Sequence, residues 1–141
     1  IRRPPRSRLD RSSSASDVYK RQIAINIDAI KKKVMRGASV PAGLMVAPQI
    51  NGFNSALNDR PSYDPKSAKK LLADAGYPDG FEVTMDCPNN RYVNDERICQ
   101  ASASMLAKIG IKVTLLAQPK SKYFGKVLAQ NNYDTSFFLL G

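Results

Sequence analysis

The sequence contains no histidine and no tryptophan, and only two of its 141 residues are cysteine. Without histidine there can be no Ser-His-Asp or Cys-His catalysis and no His-ligated metal. Two cysteines cannot build a four-cysteine zinc site. Long apolar runs are also missing. The longest are a few residues, such as Phe137–Leu140, too short to span a bilayer and without the layout of a signal peptide. Hydrophobic residues still make up 43% of the chain, enough for a real core. What stands out is basic charge, 22 Lys+Arg against 12 Asp+Glu, a net +10. Such a balance ordinarily points to nucleic acid or another anionic surface.

The charge is unevenly spread. Residues 1–22 hold six of the ten arginines and a net +5, and the other 119 residues share the remaining +5. This first stretch has five Ser, adjacent prolines and no helical or strand period, so it is expected to be a disordered basic arm. A nucleic-acid-binding tail and an Arg/Ser-rich transit peptide both fit that composition. Ser12–Gln22, and Asp17–Gln22 above all, also resembles a translated sequencing adaptor. The favoured expectation is therefore that residues 1–22 are foreign to the protein, and that no nucleic acid is a partner. The competing function is a small basic nucleic-acid-binding protein whose salt-sensitive binding depends on residues 1–22.

Beyond the arm, Ile23, Ile27, Ile30 and Val34 recur on one helical face, predicting a helix over Ile23–Arg36 that stops at Gly37. Residues 38–63 lack periodicity. Their Leu44, Met45, Val46, Ile50 and Phe53 are expected to pack against something. Asp64 and Pro65 open the next helix, with Ala68, Leu71, Leu72 and Ala75 facing inward and Gly76 closing it. Phe81–Met85 alternates as a strand does, and Asp86–Val93 follows as a loop. Asn94 is placed to cap a helix whose stripe is Ile98, Ala101, Met105, Leu106 and Ile109, with Asp95 and Glu96 offsetting its dipole. Ile111–Leu116 is the next strand. Pro119 starts a helix with Tyr123, Phe124, Val127 and Leu128 inward, and Tyr133–Leu140 is a last, central strand. Strands alternating with helices predict a layered α/β fold. The chain stops at Gly141 directly after an apolar strand, which suggests truncation.

These residues carry a family pattern. The run Tyr63-Asp-Pro-Lys-Ser-Ala-Lys-Lys-Leu-Leu-Ala-Asp-Ala-Gly-Tyr-Pro-Asp-Gly-Phe81 resembles a segment of the family 5 solute-binding proteins of ABC importers, the dipeptide, oligopeptide and nickel-binding type. Ala107–Val113, Arg21–Ile30 and Asp134–Gly141 are similar to further family segments, although Asn26 stands where many members have an aromatic. The resemblance covers nearly all of residues 21–141. It implies a two-lobed periplasmic or lipid-anchored receptor, a type II periplasmic-binding-protein-like fold. Residues 23–141 would form part of its second α/β lobe. It implies import of a solute, a small peptide by expectation, handed to an ABC permease of the inner membrane by a monomeric protein without catalysis or cofactor.

The loop Cys87–Asp95 is the best candidate site, because it lies where open α/β sheets bind ligand. The resemblance implies that Arg91 pairs with a ligand carboxylate and that Tyr92 lines the pocket. Free N–H groups at the start of the following helix are expected to help hold the anion. Asn89 and Asn90 are expected to shape the loop or bond ligand, and Asn94 to act as a cap. Cys87 and Cys99, 12 apart, have two open fates: a disulfide that pins the loop, or two buried thiols. Lys66, Lys69 and Lys70 form one expected solvated face and Lys120, Lys122 and Lys126 another. No metal site is expected.

Overall fold

A computed structural model describes residues 22–129 and 137–138. Residues 1–21, and the expected last strand apart from Phe137 and Phe138, lie outside the described residues.

Three parallel strands set the frame. β1 (Phe81–Pro88) runs between β2 (Ile111–Gln118) and β3 (Phe137–Phe138). Phe81 pairs with Ile111 and Pro88 with Gln118 at the two ends of the β1–β2 ladder, while Met85 and Asp86 pair with Phe137 and Phe138. β1 is three residues longer than the alternation predicts, so Asp86, Cys87 and Pro88 belong to the strand and not to a loop. The alternation hid this because Asp86 is charged yet buried, and because Pro88 occupies the last strand position, where a missing N–H costs least.

Adjacent strand residues point to opposite faces. Met85 and Cys87 face a core that gathers Ile23, Ala24, Ala68, Leu72, Cys99, Leu106 and Ile111. Ala68 and Leu72 come from α2 (Pro65–Asp74), and Cys99 and Leu106 from α3 (Asp95–Ala107). Asp86 faces the other way, toward α4 (Lys120–Val127). α3 and α4 thus cover opposite faces of the sheet. That is what right-handed crossovers produce when the chain leaves β1 in one direction and returns across it in the other.

The expected helix over Ile23–Arg36 is broken. Residues 22–24 are helical, the chain bends at Ile25, and helix resumes as α1 (Ile27–Ala29), widening into a π-helix over Ile30–Val34. The Asn26 side chain accepts the Ala29 N–H at 2.8 Å, so it starts a new helix in the middle of the apolar period. α2 follows its sequence signals, since Asp64 accepts the Ser67 N–H at 3.0 Å. Those bonds with Ser67, side chain first and backbone second, hold the Asp64 carboxyl below its ordinary range. Ala75, expected inward, is exposed, as is Leu128 after α4. Both sit where their helix has already ended.

Residues 38–63 are irregular apart from a 3-10 turn at Ser55–Leu57. Leu44 and Phe53 are half-buried, but Met45, Val46 and Ile50 stand exposed, contrary to the expectation that they pack. The segment's own side-chain ties reach other positions: Asn58 accepts the N–H groups of Gly43 and Leu44, and Arg60 donates to the Ala42 carbonyl.

β1 and β2 start side by side on two glycines. Gly80 (φ +77) and Gly110 (φ +96) lie in the left-handed region, and the Phe81 N–H donates to the Gly110 carbonyl at 3.3 Å. A Cβ on Gly80 would fall 1.8 Å from that carbonyl oxygen. Gly80→Ala is therefore expected to destabilise the fold by more than about 2 kcal/mol, through backbone overlap as well as strained φ. Urea denaturation checks this, and a midpoint equal to wild type would show that the two strand starts can separate freely.

Candidate functional site

The order β2-β1-β3 places a topological switch point beside β1, at the carboxyl end of the parallel strands, where ligands of open α/β sheets bind. Residues 89–94, between β1 and α3, form the edge of this crevice.

Four fixings hold the loop. The Asn89 N–H donates to the Gln118 carbonyl at 2.9 Å, tying it to the end of β2. Asn90 Oδ1 accepts the Lys120 N–H at 2.7 Å, so the side chain caps the start of α4 and serves the frame. Asn94 has φ +57 and donates from Nδ2 to the Val34 carbonyl at 3.2 Å. It makes no side-chain cap on α3, in contrast to the expectation, because its left-handed backbone aims the side chain at the neighbouring π-helix.

Asp95 takes the capping role instead. It is 3% exposed, with Oδ2 accepting the N–H groups of Arg91 (2.9 Å) and Tyr92 (3.0 Å) and Oδ1 accepting that of Glu96 (2.9 Å). Burial works against its charge, yet the N–H groups of Tyr92, Arg91 and Glu96 outweigh burial and hold the carboxyl below its usual range. Of the N–H groups expected to be free for an anion at the start of α3, that of Glu96 is already taken by the protein's own carboxylate.

Arg91 is exposed and Tyr92 half-buried, with the guanidinium carbon 5.1 Å from the Tyr92 ring centroid, a cation–π contact. Among the described residues no carboxylate lies within ion-pair distance of the Arg91 guanidinium. Beside the loop is a hollow of about 400 Å³ lined by Asn89, Tyr92, Asn94, Arg97 and Gln100 together with the acids Asp95 and Glu96. Arg97 brings a cation to this lining, of which Arg91 is not a part. The sequence gives no signal for it, because one arginine on a polar helix face looks like any other.

Below the loop Cys87 and Cys99 are joined in a disulfide, with Cα atoms 6.5 Å apart, and the Cys87 sulfur lies 3.5 Å from the Asp95 carbonyl oxygen. On the opposite sheet face the Asp86 carboxylate, 0% exposed as a residue, accepts from Lys126 Nζ at 2.8 and 2.9 Å and from Gln118 Nε2 at 3.3 Å. Lys126 is thus no part of a solvated face, since the buried charge draws it in. Tyr123, fully buried against this pair, has its hydroxyl pKa raised first by burial and then by Tyr92 and Asp86. Among the described residues no three Cys, Asp or Glu side chains converge as metal ligands would. The arrangement sets a presented guanidinium and an aromatic ring beside a hollow lined by amides, Arg97 and two acids, a set able to hydrogen-bond a polar ligand.

Comparison with known proteins agrees with the α/β fold. The family profile described as bacterial extracellular solute-binding proteins, family 5 Middle, matches residues 22–141. The glutathione-binding protein GsiB of Salmonella choleraesuis (strain SC-B67) is 37% identical over 94 residues, 67% of this chain and 18% of that protein. The dipeptide-binding protein of Escherichia coli (strain K12) is 33% identical over 103 residues, 71% of this chain and 19% of that protein. Among solved structures, the periplasmic binding protein DppA from Helicobacter pylori, in complex with peptide STSA, superposes with TM-score 0.65 at 30% identity, covering 79% of this chain and 21% of that one. The chain spans about a fifth of the length of the relatives it matches. With the profile matched over 22–141 and the α/β layout shared, the chain belongs to the family 5 bacterial extracellular solute-binding proteins.

Proposed function

We propose that residues 23–141 form part of the second α/β lobe of an extracytoplasmic receptor, periplasmic or lipid-anchored. It binds a small peptide or related solute and passes it to an ABC permease of the membrane. The receptor acts as a monomer, without catalysis. The observation that carries the proposal is the fixed loop at the carboxyl edge of the sheet, which presents Arg91 over Tyr92 beside a polar hollow. Relatives named for glutathione, dipeptide and a peptide ligand support it, because each of those ligands ends in a carboxylate. A planar guanidinium grips a carboxylate with two parallel bonds. Asn89 lines the same hollow, while Asn90 supports the loop from α4. Affinity in such receptors grows with closure of two lobes, so the complete receptor is the form to test.

Calorimetric titration of the full-length receptor with di- to tetrapeptides tests the proposal. Arg91→Ala is expected to weaken peptides with a free carboxylate by about tenfold or more, the value of a charge-assisted hydrogen bond. Unchanged affinity across the panel would remove Arg91 from the site.

A further inference from the structure

The Arg91–Tyr92 pair owes its placement to a buried residue at the start of α3. Residues 91–95 close on themselves in both directions. The Asp95 carboxylate accepts the Arg91 and Tyr92 N–H groups, and the Asp95 N–H donates to the Tyr92 carbonyl at 3.4 Å. The same carboxylate accepts the N–H of Glu96, so one buried group joins the loop to the first turn of α3. α3 itself is fixed to β1 by the disulfide, whose Cys87 sulfur touches the Asp95 carbonyl. Both ends of the loop therefore rest on the rigid frame, while the Arg91 side chain is exposed.

We propose that Asp95 is the positioning residue of this binding loop: its carboxylate holds the backbone of Arg91 and Tyr92 so that the guanidinium meets a ligand carboxylate already oriented. Ligand then pays little to order the loop, which is where pre-organisation gains affinity. The low Asp95 pKa is consistent with this, because the carboxylate stays ionised and all three N–H bonds remain charge-assisted. The proposal rests on the carboxylate-binding role of Arg91 given above.

The test uses the full-length receptor and one peptide in two forms, with a free C-terminal carboxylate and with a C-terminal amide. Asn at position 95 keeps the size of the side chain but replaces one acceptor oxygen by an NH2 donor that opposes an N–H of the loop. Asp95→Asn is expected to weaken the free-acid peptide roughly tenfold and to leave the amide unchanged, so the preference for acid shrinks. Equal weakening of both forms would mark Asp95 as purely structural and overturn the proposal, and so would no change in either. Arg91→Ala separates the two readings. If it abolishes the preference and Asp95→Asn does not, only the positioning role fails. If it leaves the preference at the wild-type value, the role of Arg91 fails and the positioning role with it. Should Asp95→Asn not fold, amide hydrogen exchange of the wild-type receptor without ligand decides. The Arg91 and Tyr92 amides are expected to exchange at least roughly tenfold slower than the amide of exposed Val93. Equal rates would overturn the proposal.

Discussion

Lys126→Met is expected to cost about 3 kcal/mol of folding free energy, and adding Asp86→Leu to return most of it. The Asp86 side chain is 1% exposed and both of its oxygens accept from Lys126 Nζ. Removing the lysine takes the Lys126 cation from a buried carboxylate, whereas removing both charges leaves a site that an apolar pair can fill. Lys126 keeps 29% of its side chain in solvent, which puts the cost at the low end for buried pairs. Urea denaturation of wild type, both single variants and the double variant gives the coupling energy directly. A Lys126→Met midpoint within error of wild type would show that Asp86 needs no counter-charge from α4.

Reduction of the Cys87–Cys99 disulfide is expected to destabilise the protein by about 3 kcal/mol, the loop-closure value for a ring of this size. The bond joins the end of the central strand to the first turns of α3, and both residues are buried, at 0% and 2% exposure. Denaturant midpoints with and without reductant measure the effect. The Cys87→Ala, Cys99→Ala double variant should match the reduced protein and ignore reductant. If reduction leaves the wild-type midpoint in place, α3 is held on β1 by packing alone. The two largest effects lie on opposite faces of β1, one covalent and one ionic, and between them they fix the strand whose end carries the binding loop.

Much of the site's setting was legible in the residues. The loop stands out because it follows a strand and precedes helix-opening acids, and within it the family resemblance points to Arg91 and Tyr92. What Asp95 does was not legible. An acid at the start of a helix is ordinarily a solvated dipole partner, and only the turn geometry brings its oxygens onto two preceding N–H groups. Asn94 was misjudged for the same reason, since a capping residue and a left-handed residue have the same composition until the backbone is built. Lys126 looked like its neighbours Lys120 and Lys122 because its partner lies 40 residues earlier, on a face set by strand register.

The sequence by itself determined the alternation of helices and strands, the start of α2 at Asp64 and Pro65, the glycine stops and the family pattern. These signals act over a few residues, through period, capping and turn chemistry. Tertiary structure alone decided that β1 reaches Pro88, that Cys87 meets Cys99, and that Asp86 draws in Lys126. Each of these depends on which face a residue presents once three strands are in register. That choice is made by packing and desolvation across the whole sheet, where a buried charge or thiol is stable only when a partner distant in sequence arrives beside it.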